Sequence, residues 1–346
     1  MMKRLIFLFI ATVLLFTGCT SNAIGQDSSK SSTDMSNFGN NLNRDINPSI
    51  KRPNFLRNNF VSADDFSTVL IGSGSPNSPE GRACASTLIQ YKGNYFLVDM
   101  GNGAQDRLEE AGINLGSIET LMFTHHHLDH NEEYFAVAIK GWLKGRSHLN
   151  LIGTPGTKDL HEFLVSFYKE DMEYRASKKP SWSWDGMASN VDIMEVSGDK
   201  SFELNGVTIT TTKVPHSIHT QAYRFDAEDE SIVISGDLTY SENLIKLAKD
   251  ADVLVMDSGA VIKKSAVGFN SQSQKSENAK KKRKNNSDNA HASLEEVATM
   301  AQKAGVKKLV LTHIGGNIDK EAEINEISKI YTGEVIVGED LMEVTP

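Results

Sequence analysis

The stretch Leu121-Met122-Phe123-Thr124-His125-His126-His127-Leu128-Asp129-His130 decides how this chain is read. An apolar, strand-like segment runs straight into a turn where four histidines and one aspartate take five of the six positions 125–130. So many polar groups beside a core strand are costly to bury unless each is paired or bound. Neutral imidazole and carboxylate are donor types that suit zinc. In an extended turn, His125 and His127 point the same way because they are two positions apart. If the chain then curls, Asp129 and His130 face the other side of the same pocket, so one loop can feed two metal positions. His126 is off this register and is expected to be an ordinary surface or core residue.

Three further residues of ligand type fall where apolar segments end. His216 follows Val214-Pro215, Asp237 follows Ile234-Ser235-Gly236, and His313 follows Leu311-Thr312. Polar ligand types at the C-terminal tips of several strands are what a shared site at one sheet edge requires. His148 and His161 lack such a context and are expected to be structural.

Working outward, the pattern predicts strands from Thr68, over Ser86–Tyr91, Tyr95–Asp99 and Leu121–Thr124. Helices follow at Gln105–Ala111, Glu133–Lys144 and Lys158–Arg175. The second half repeats the mixture. Strands are expected at Val207–Val214, Gln221–Phe225, Ser231–Ser235, Val253–Met256, Lys308–Thr312 and Glu334–Val337. Helices are expected at Glu242–Lys249, Leu294–Ala304 and Glu321–Ile330. Strands and helices in both halves predict an αββα sandwich of two mixed sheets, although composition alone also permits a doubly wound sheet.

Composition sets the limits. The chain has 346 residues with 39% hydrophobic and 23% charged content, an ordinary globular balance that excludes collagen, coiled coil and wholesale disorder. Lys plus Arg is 36 and Asp plus Glu is 45, a net charge of −9. That is a poor starting point for a general nucleic-acid binder, whose affinity rests on cations meeting phosphates. Cys19 and Cys84 are the only cysteines, so neither a disulfide framework nor a Cys-rich zinc ribbon can form. Cys84 has no charge cluster beside it in sequence and reads as a small packing residue.

Met1-Met2-Lys3-Arg4 followed by the apolar run Leu5–Phe16 is too short to span a bilayer and reads as a signal peptide over residues 1–18. Its end, Phe16-Thr17-Gly18-Cys19, resembles a bacterial lipobox, with Phe16 standing where Leu is usual. The resemblance implies lipidation of Cys19 and an exported, membrane-anchored protein, periplasmic or at the cell surface. Residues 19–60 are polar and expected to be a flexible tether, and the catalytic domain is expected over 61–346. Residues 263–290 carry eight basic residues against Glu277 and Asp288, and read as a disordered basic loop within that domain.

His125-x-His127-x-Asp129-His130, followed in order by His216, Asp237 and His313, resembles the metallo-β-lactamase superfamily. The likeness covers roughly Val61 to the C-terminus. It implies that His125, His127 and His216 hold one zinc, that Asp129, His130 and His313 hold another, and that Asp237 bridges the two. Asp99, closing an early strand, would orient ligands from behind. A hydroxide held between the two metals would be the nucleophile against an anionic ester. His291, with Asp257 to orient it, is the candidate proton donor to the leaving oxygen, so Asp129, Asp257 and His291 are the candidate catalytic side chains. Ser293 and Glu296 stand at capping-box spacing just after His291.

Within the superfamily, Leu70–Ser75, Phe96–Gln105 and His291–Ala298 resemble the ribonuclease Z branch. The Asp257/His291 pair matches that branch's acid–histidine dyad, where the acid is usually Glu. No Gly-, Pro- and Lys-rich arm for gripping transfer RNA stands between His130 and His216; Trp182 and Trp184 occur there instead. Thr124–Glu133, Ile218–Phe225 and Ile232–Glu242 look more like the zinc-dependent arylsulfatases. Sulfate-ester hydrolysis is therefore the leading expectation, with a small anionic ester as partner and nucleic acid less favoured. Cys84-Ala85-Ser86 lacks the context from which the other sulfatase class makes formylglycine. His219 and Arg224 are candidate substrate contacts, and Lys213 a further cation for an anionic substrate. The alternatives are a phosphodiesterase or ribonuclease Z-like nuclease, a lactone hydrolase, and a metal-binding lipoprotein without turnover.

Overall fold

The computed structural model describes residues 66–76, 81–178, 187–258, 290–316 and 318–346. The leader, Cys19, the tether, Trp182, Trp184 and all of the basic run except Ala290 lie outside the described residues. No described helix is long and apolar enough to cross a membrane.

The first sheet contains β1 (Ser67–Gly72), β2 (Ser86–Tyr91), β3 (Asn94–Val98), β4 (Thr120–Met122), β5 (Leu149–Gly153), β6 (Val191–Glu195) and β14 (Met342–Val344), in the order β14-β1-β2-β3-β4-β5-β6. The second contains β7 (Lys200–Leu204), β8 (Val207–Val214), β9 (Thr220–Ala227), β10 (Glu230–Ile234), β11 (Val253–Asp257), β12 (Lys308–Thr312) and β13 (Glu334–Val337), in the order β13-β12-β11-β10-β9-β8-β7. Both sheets are mixed. β3 to β6 run parallel, as do β10 to β13, and the rest pair antiparallel.

The apolar strands explain the layering. Side chains alternate across a strand, and here both faces are apolar. Leu121 and Phe123 face an outer core with Leu97, Leu108, Tyr134 and Trp142, while Met122 faces an inner core. Leu254 and Met256 likewise face an outer core, while Val253 and Val255 join Phe96, Ile152 and Phe225 between the sheets. Helices α1 (Ala104–Glu110), α3 (Tyr134–Leu143) and α4 (Thr157–Phe167) cover the first sheet. Helices α6 (Glu242–Leu247), α7 (Leu294–Ala304) and α8 (Lys320–Ile327) cover the second. This is the expected αββα sandwich. Each fully buried Leu, Val or Phe contributes about 1.5–3 kcal/mol, so the three cores outweigh any single polar contact.

Sequence patterning misplaced a few elements. The helix expected over Lys158–Arg175 is two, α4 and α5 (Lys169–Lys178), because the chain leaves helical geometry at Tyr168. β5, β6, β7 and β14 were not foreseen. β6 and β7 have no fully buried residue, so their alternation carries little apolar contrast. The capping box of α7 is present, with Ser293 Oγ accepting from the Glu296 backbone N–H and the Glu296 carboxylate accepting from that of Ser293.

Two hydrogen bonds cross from one sheet to the other behind the histidine turn. The Tyr223 hydroxyl donates to the Phe123 carbonyl at 2.8 Å, and the Gln221 backbone N–H donates to the Thr124 carbonyl at 2.9 Å. They set the depth of the turn relative to the second sheet. Tyr223→Phe leaves a buried carbonyl unpaired and should destabilise the fold by about 1–3 kcal/mol in urea unfolding. An unchanged midpoint would rule out this brace.

Candidate metal centre

Strand direction assembles the site. β3, β4, β8, β10, β11 and β12 end near Asp99, His125, His216, Asp237, Asp257 and His313 respectively. Within each sheet these strands run the same way, since β8 and β10 both pair antiparallel with β9. The carboxyl ends of parallel strands are where open α/β sheets place their ligands.

Local geometry completes the convergence. After His127, the short helix α2 (Leu128–Asn131) curls Asp129 and His130 back toward the site. The Met100 N–H donates to the His130 carbonyl at 2.7 Å. The chain can approach this closely only because residue 101 is glycine: a Cβ there would lie 2.1 Å from the Asp129 carbonyl oxygen. Gly236 (φ 61°) turns the chain just before Asp237, against Thr124 and Thr220. Asp99 and His313 adopt left-handed backbone at φ 62° and 56°, a strain that side-chain-bearing residues tolerate where surrounding contacts hold them.

The seven ligand residues named from the sequence fall into two groups. His125, His127, His216 and Asp237 make one, and Asp129, His130 and His313 make the other; within each, the donors lie within 4.8 Å of one another. His127 Nδ1 is 3.0 Å from His125 Nε2 and 3.2 Å from His216 Nε2. A tetrahedral zinc with Zn–N near 2.0–2.1 Å has donor–donor edges of about 3.3 Å. In the second group, Asp129 Oδ2 is 3.1 Å from His313 Nε2 and 3.6 Å from His130 Nε2. Asp237 Oδ2 lies between the groups, 3.8 Å from His125 Nε2 and His216 Nε2, and 3.4 Å from His130 Nε2 and His313 Nε2.

Supporting bonds fix which nitrogen faces inward. His130 Nδ1–H donates to Asp99 Oδ2 at 2.9 Å, and His216 Nδ1–H donates to the Ala290 carbonyl at 2.7 Å. The Thr124 hydroxyl donates to Asp99 at 2.7 Å and can accept from His125 Nδ1–H at 3.0 Å. In the neutral form of each ring, Nε2 is then the nitrogen that turns its lone pair toward the cluster. His127 is reversed, with Nε2 3.2 Å from Ser217 Oγ and Nδ1 turned inward. Thr124, Ser217 and the Ala290 carbonyl were not anticipated as supports, because a hydroxyl or carbonyl has no spacing signature. Glu133 was also missed as a brace: it accepts from the N–H groups of Gly103 and Gln105 at the start of α1, tying that loop to the histidine turn.

The electrostatics fit cation ligation. Burial, helped by the neighbouring imidazoles, pushes the His125 pKa well below its ordinary value, leaving it neutral. Burial opposes charge on His130 too, but the carboxylates of Asp237 and Asp99 outweigh it and push its pKa up to about 10. For Asp129, burial is overcome by the His313 bond and by His130, and its pKa falls to about 2. Carboxylates in this pocket therefore gather positive charge, the role a divalent cation takes over. His130 Nε2 and His313 Nδ1 are buried with only long carboxylate contacts, 3.4 Å to Asp237 and 3.5 Å to Asp257, as expected of groups shaped for ligation.

Asp257 and His291 come together as expected, with His291 Nδ1–H donating to Asp257 Oδ2 at 2.7 Å. Burial disfavours charge on both, yet their mutual bond lowers the acid's pKa and raises that of the imidazole.

Other candidates stand apart from the two groups. Arg224 has partners of its own: its Nε binds Asp226, and its Nη1 donates to the carbonyls of Leu247 and Lys249, so it ties β9 to the end of α6. His219 is half-buried beside Gln221 in the turn that carries His216 and Ser217. Lys213 is exposed. His126 bonds Thr157 and packs on Phe123, and His161 links Tyr134 to the Met187 carbonyl; both are structural. His148 lies toward Asp192, away from the site. Burial raises the Cys84 thiol pKa, consistent with a packing role.

Four layers with His and Asp donors at converging strand ends define a metal-dependent hydrolase fold. The beta-lactamase superfamily domain profile matches residues 94–314. Ribonuclease Z from Mycobacterium sp. (strain KMS) is 31% identical over 283 residues, which span 80% of this chain and 94% of that one. Among solved structures, the metallo-beta-lactamase fold protein YhfI from Bacillus subtilis matches with a TM-score of 0.61 at 17% identity, over 81% of this chain and 99% of that one. The short form of human tRNase Z matches with a TM-score of 0.56 at 17% identity, over 81% and 98%. The chain belongs to the metallo-β-lactamase superfamily, in its ribonuclease Z-like branch.

Asp237 touches both donor groups, so Asp237→Ala should abolish tight cation binding while leaving the circular dichroism spectrum unchanged. Elemental analysis of dialysed protein reads the outcome, and full cation retention would refute the sharing.

Proposed function

We propose that the protein is a metal-dependent phosphodiesterase of the ribonuclease Z type. It would hold two zinc ions, one by His125, His127 and His216, the other by Asp129, His130 and His313, with Asp237 shared. The observation that carries this reading is the Asp257–His291 pair, 2.7 Å apart, placed against that cage with His291 Nδ1 4.0 Å from Asp237 Oδ2. The ribonuclease Z name of the 31%-identical relative supports a phosphodiester over the sulfate ester expected from the motifs. The sulfate ester remains the second reading, favoured by the arylsulfatase-like stretches; it presents the same single charge and tetrahedral oxygens.

Bound zinc supplies Lewis acidity and a water acidic enough to attack at neutral pH. The protein's own groups do the rest. Asp129, held as a carboxylate, is available to orient an attacking water. Asp99, through Thr124 and His130, keeps two imidazoles in the ligating tautomer. His291, whose charged form Asp257 favours, donates from Nε2 to the leaving oxygen.

With zinc-loaded protein, bis(4-nitrophenyl) phosphate should be hydrolysed faster than 4-nitrophenyl sulfate. The reverse order would overturn the phosphodiester reading in favour of the sulfatase one. His291→Ala should slow a diester with a phenol leaving group by roughly 10²–10⁴-fold, and one with 4-nitrophenol much less. Equal slowing of both would remove the acid role.

We also propose that the chain is exported and anchored through Cys19, on the support of the leader and lipobox residues alone. Cys19→Ala should move the protein from the membrane fraction to the soluble one and stop incorporation of labelled palmitate. Unchanged fractionation and labelling would reject the anchor.

A further inference from the structure

We propose that His291, Asp257, His313 and Asp237 form a third, inhibitory divalent-cation position beside the two assigned above. Only its inhibitory consequence rests on the function proposed above; the site itself rests on geometry. Donor atoms of these four side chains all lie within 4.8 Å of one another. His291 Nδ1 is 2.7 Å from Asp257 Oδ2 and 4.0 Å from Asp237 Oδ2, and His313 Nδ1 is 3.5 Å from Asp257 Oδ1. These separations bracket the edge of about 3.3 Å expected around a tetrahedral zinc.

An independent observation points to a ligand there. His313 is 3% exposed, and its buried Nδ1 has only a long contact, 3.5 Å to Asp257 Oδ1, which leaves it poorly satisfied. Nδ1 lies across the ring from Nε2, which faces Asp129 and Asp237. One imidazole therefore has a nitrogen for each side; Asp257 and His291 border the Nδ1 side, and Asp237 Oδ2, 4.0 Å from His291 Nδ1, stands at the boundary between the two. His291 is half-buried, which leaves an entry for a cation from solvent.

Two imidazole nitrogens with carboxylates suit zinc, and also cobalt, nickel or copper. Coordination at His291 Nδ1 and His313 Nδ1 requires any proton on those nitrogens to leave, to solvent or, in His291, to Nε2. The position shares His313 and Asp237 with its neighbours, so it fills last and most weakly. Once filled, it breaks the His291–Asp257 hydrogen bond and leaves His291 at most one proton, on a metal-bound ring that releases it far less readily than an imidazolium. Leaving-group protonation then stops while the other two positions stay occupied.

The test dialyses the full-length, zinc-loaded protein against rising free Zn²⁺ and measures metal per chain by elemental analysis. Wild type should take up one equivalent more than His291→Gln at the same free zinc. Hydrolysis of a phenyl phosphodiester by wild type should fall as that equivalent binds. Equal uptake by the two proteins overturns the proposal. Should His291→Gln fail to fold, the imidazole ¹⁵N resonances of wild type decide instead. A shift of His291 Nδ1 on binding of the last equivalent supports the site, and an unmoved resonance overturns it. Uptake is counted without substrate, so absence of phosphodiester turnover at any zinc level would count against the proposed function and not against this position.

Discussion

One carboxylate oxygen, Oδ2 of Asp237, lies 3.4–4.0 Å from nitrogens of five imidazoles: His125, His130, His216, His291 and His313. Asp237 is 3% exposed. Placing a carboxylate this deep costs several kcal/mol unless positive charge meets it. The surrounding imidazoles, or the cations they are arranged to hold, meet that cost. The rest of the site is built around this requirement. His130 and His313 gather charge because Asp237 is present, while His125 stays neutral because burial dominates there.

Such a cluster cannot be made by local structure, since its members span residues 125 to 313. It depends on strands that end together. The parallel runs β3–β4 and β10–β12, with β8 in the same sense as β10, bring six strand termini to one edge. The three apolar cores hold those strands in place. Small residues then allow the final approach, as Gly101 does against Asp129 and Gly236 against Thr124. The polar site and its apolar support are thus separate: the cores stabilise the fold, and the centre draws on that stability through buried charge and the positive φ of Asp99 and His313.

Much of this was legible in the chain. The turn at 125–130 announced itself by concentrating ligand types, and His216, Asp237 and His313 by following apolar runs. Buried strands such as Leu254–Met256 were readable because both faces are apolar. Edge strands β6 and β7 were not, since a half-solvated strand lacks contrast. Arg224 looked like an anion contact because a lone cation in a strand does not reveal its partner. Only folding shows that it meets Asp226 and the carbonyls at the end of α6. Thr124, Ser217 and Glu133 act through bonds that carry no sequence pattern.

Residue type and order by themselves determined the ligand inventory, the layered αββα architecture and the superfamily, because metal chemistry admits few side chains and buried strands admit mainly apolar ones. Tertiary structure alone decided which nitrogen of each histidine turns inward, that Thr124, Ser217 and the Ala290 carbonyl hold those rings, and that Asp257 reaches His313 as well as His291. Those features depend on distances of a few ångströms between segments far apart along the chain, and hydrogen-bond geometry at that scale is set by packing rather than by local sequence.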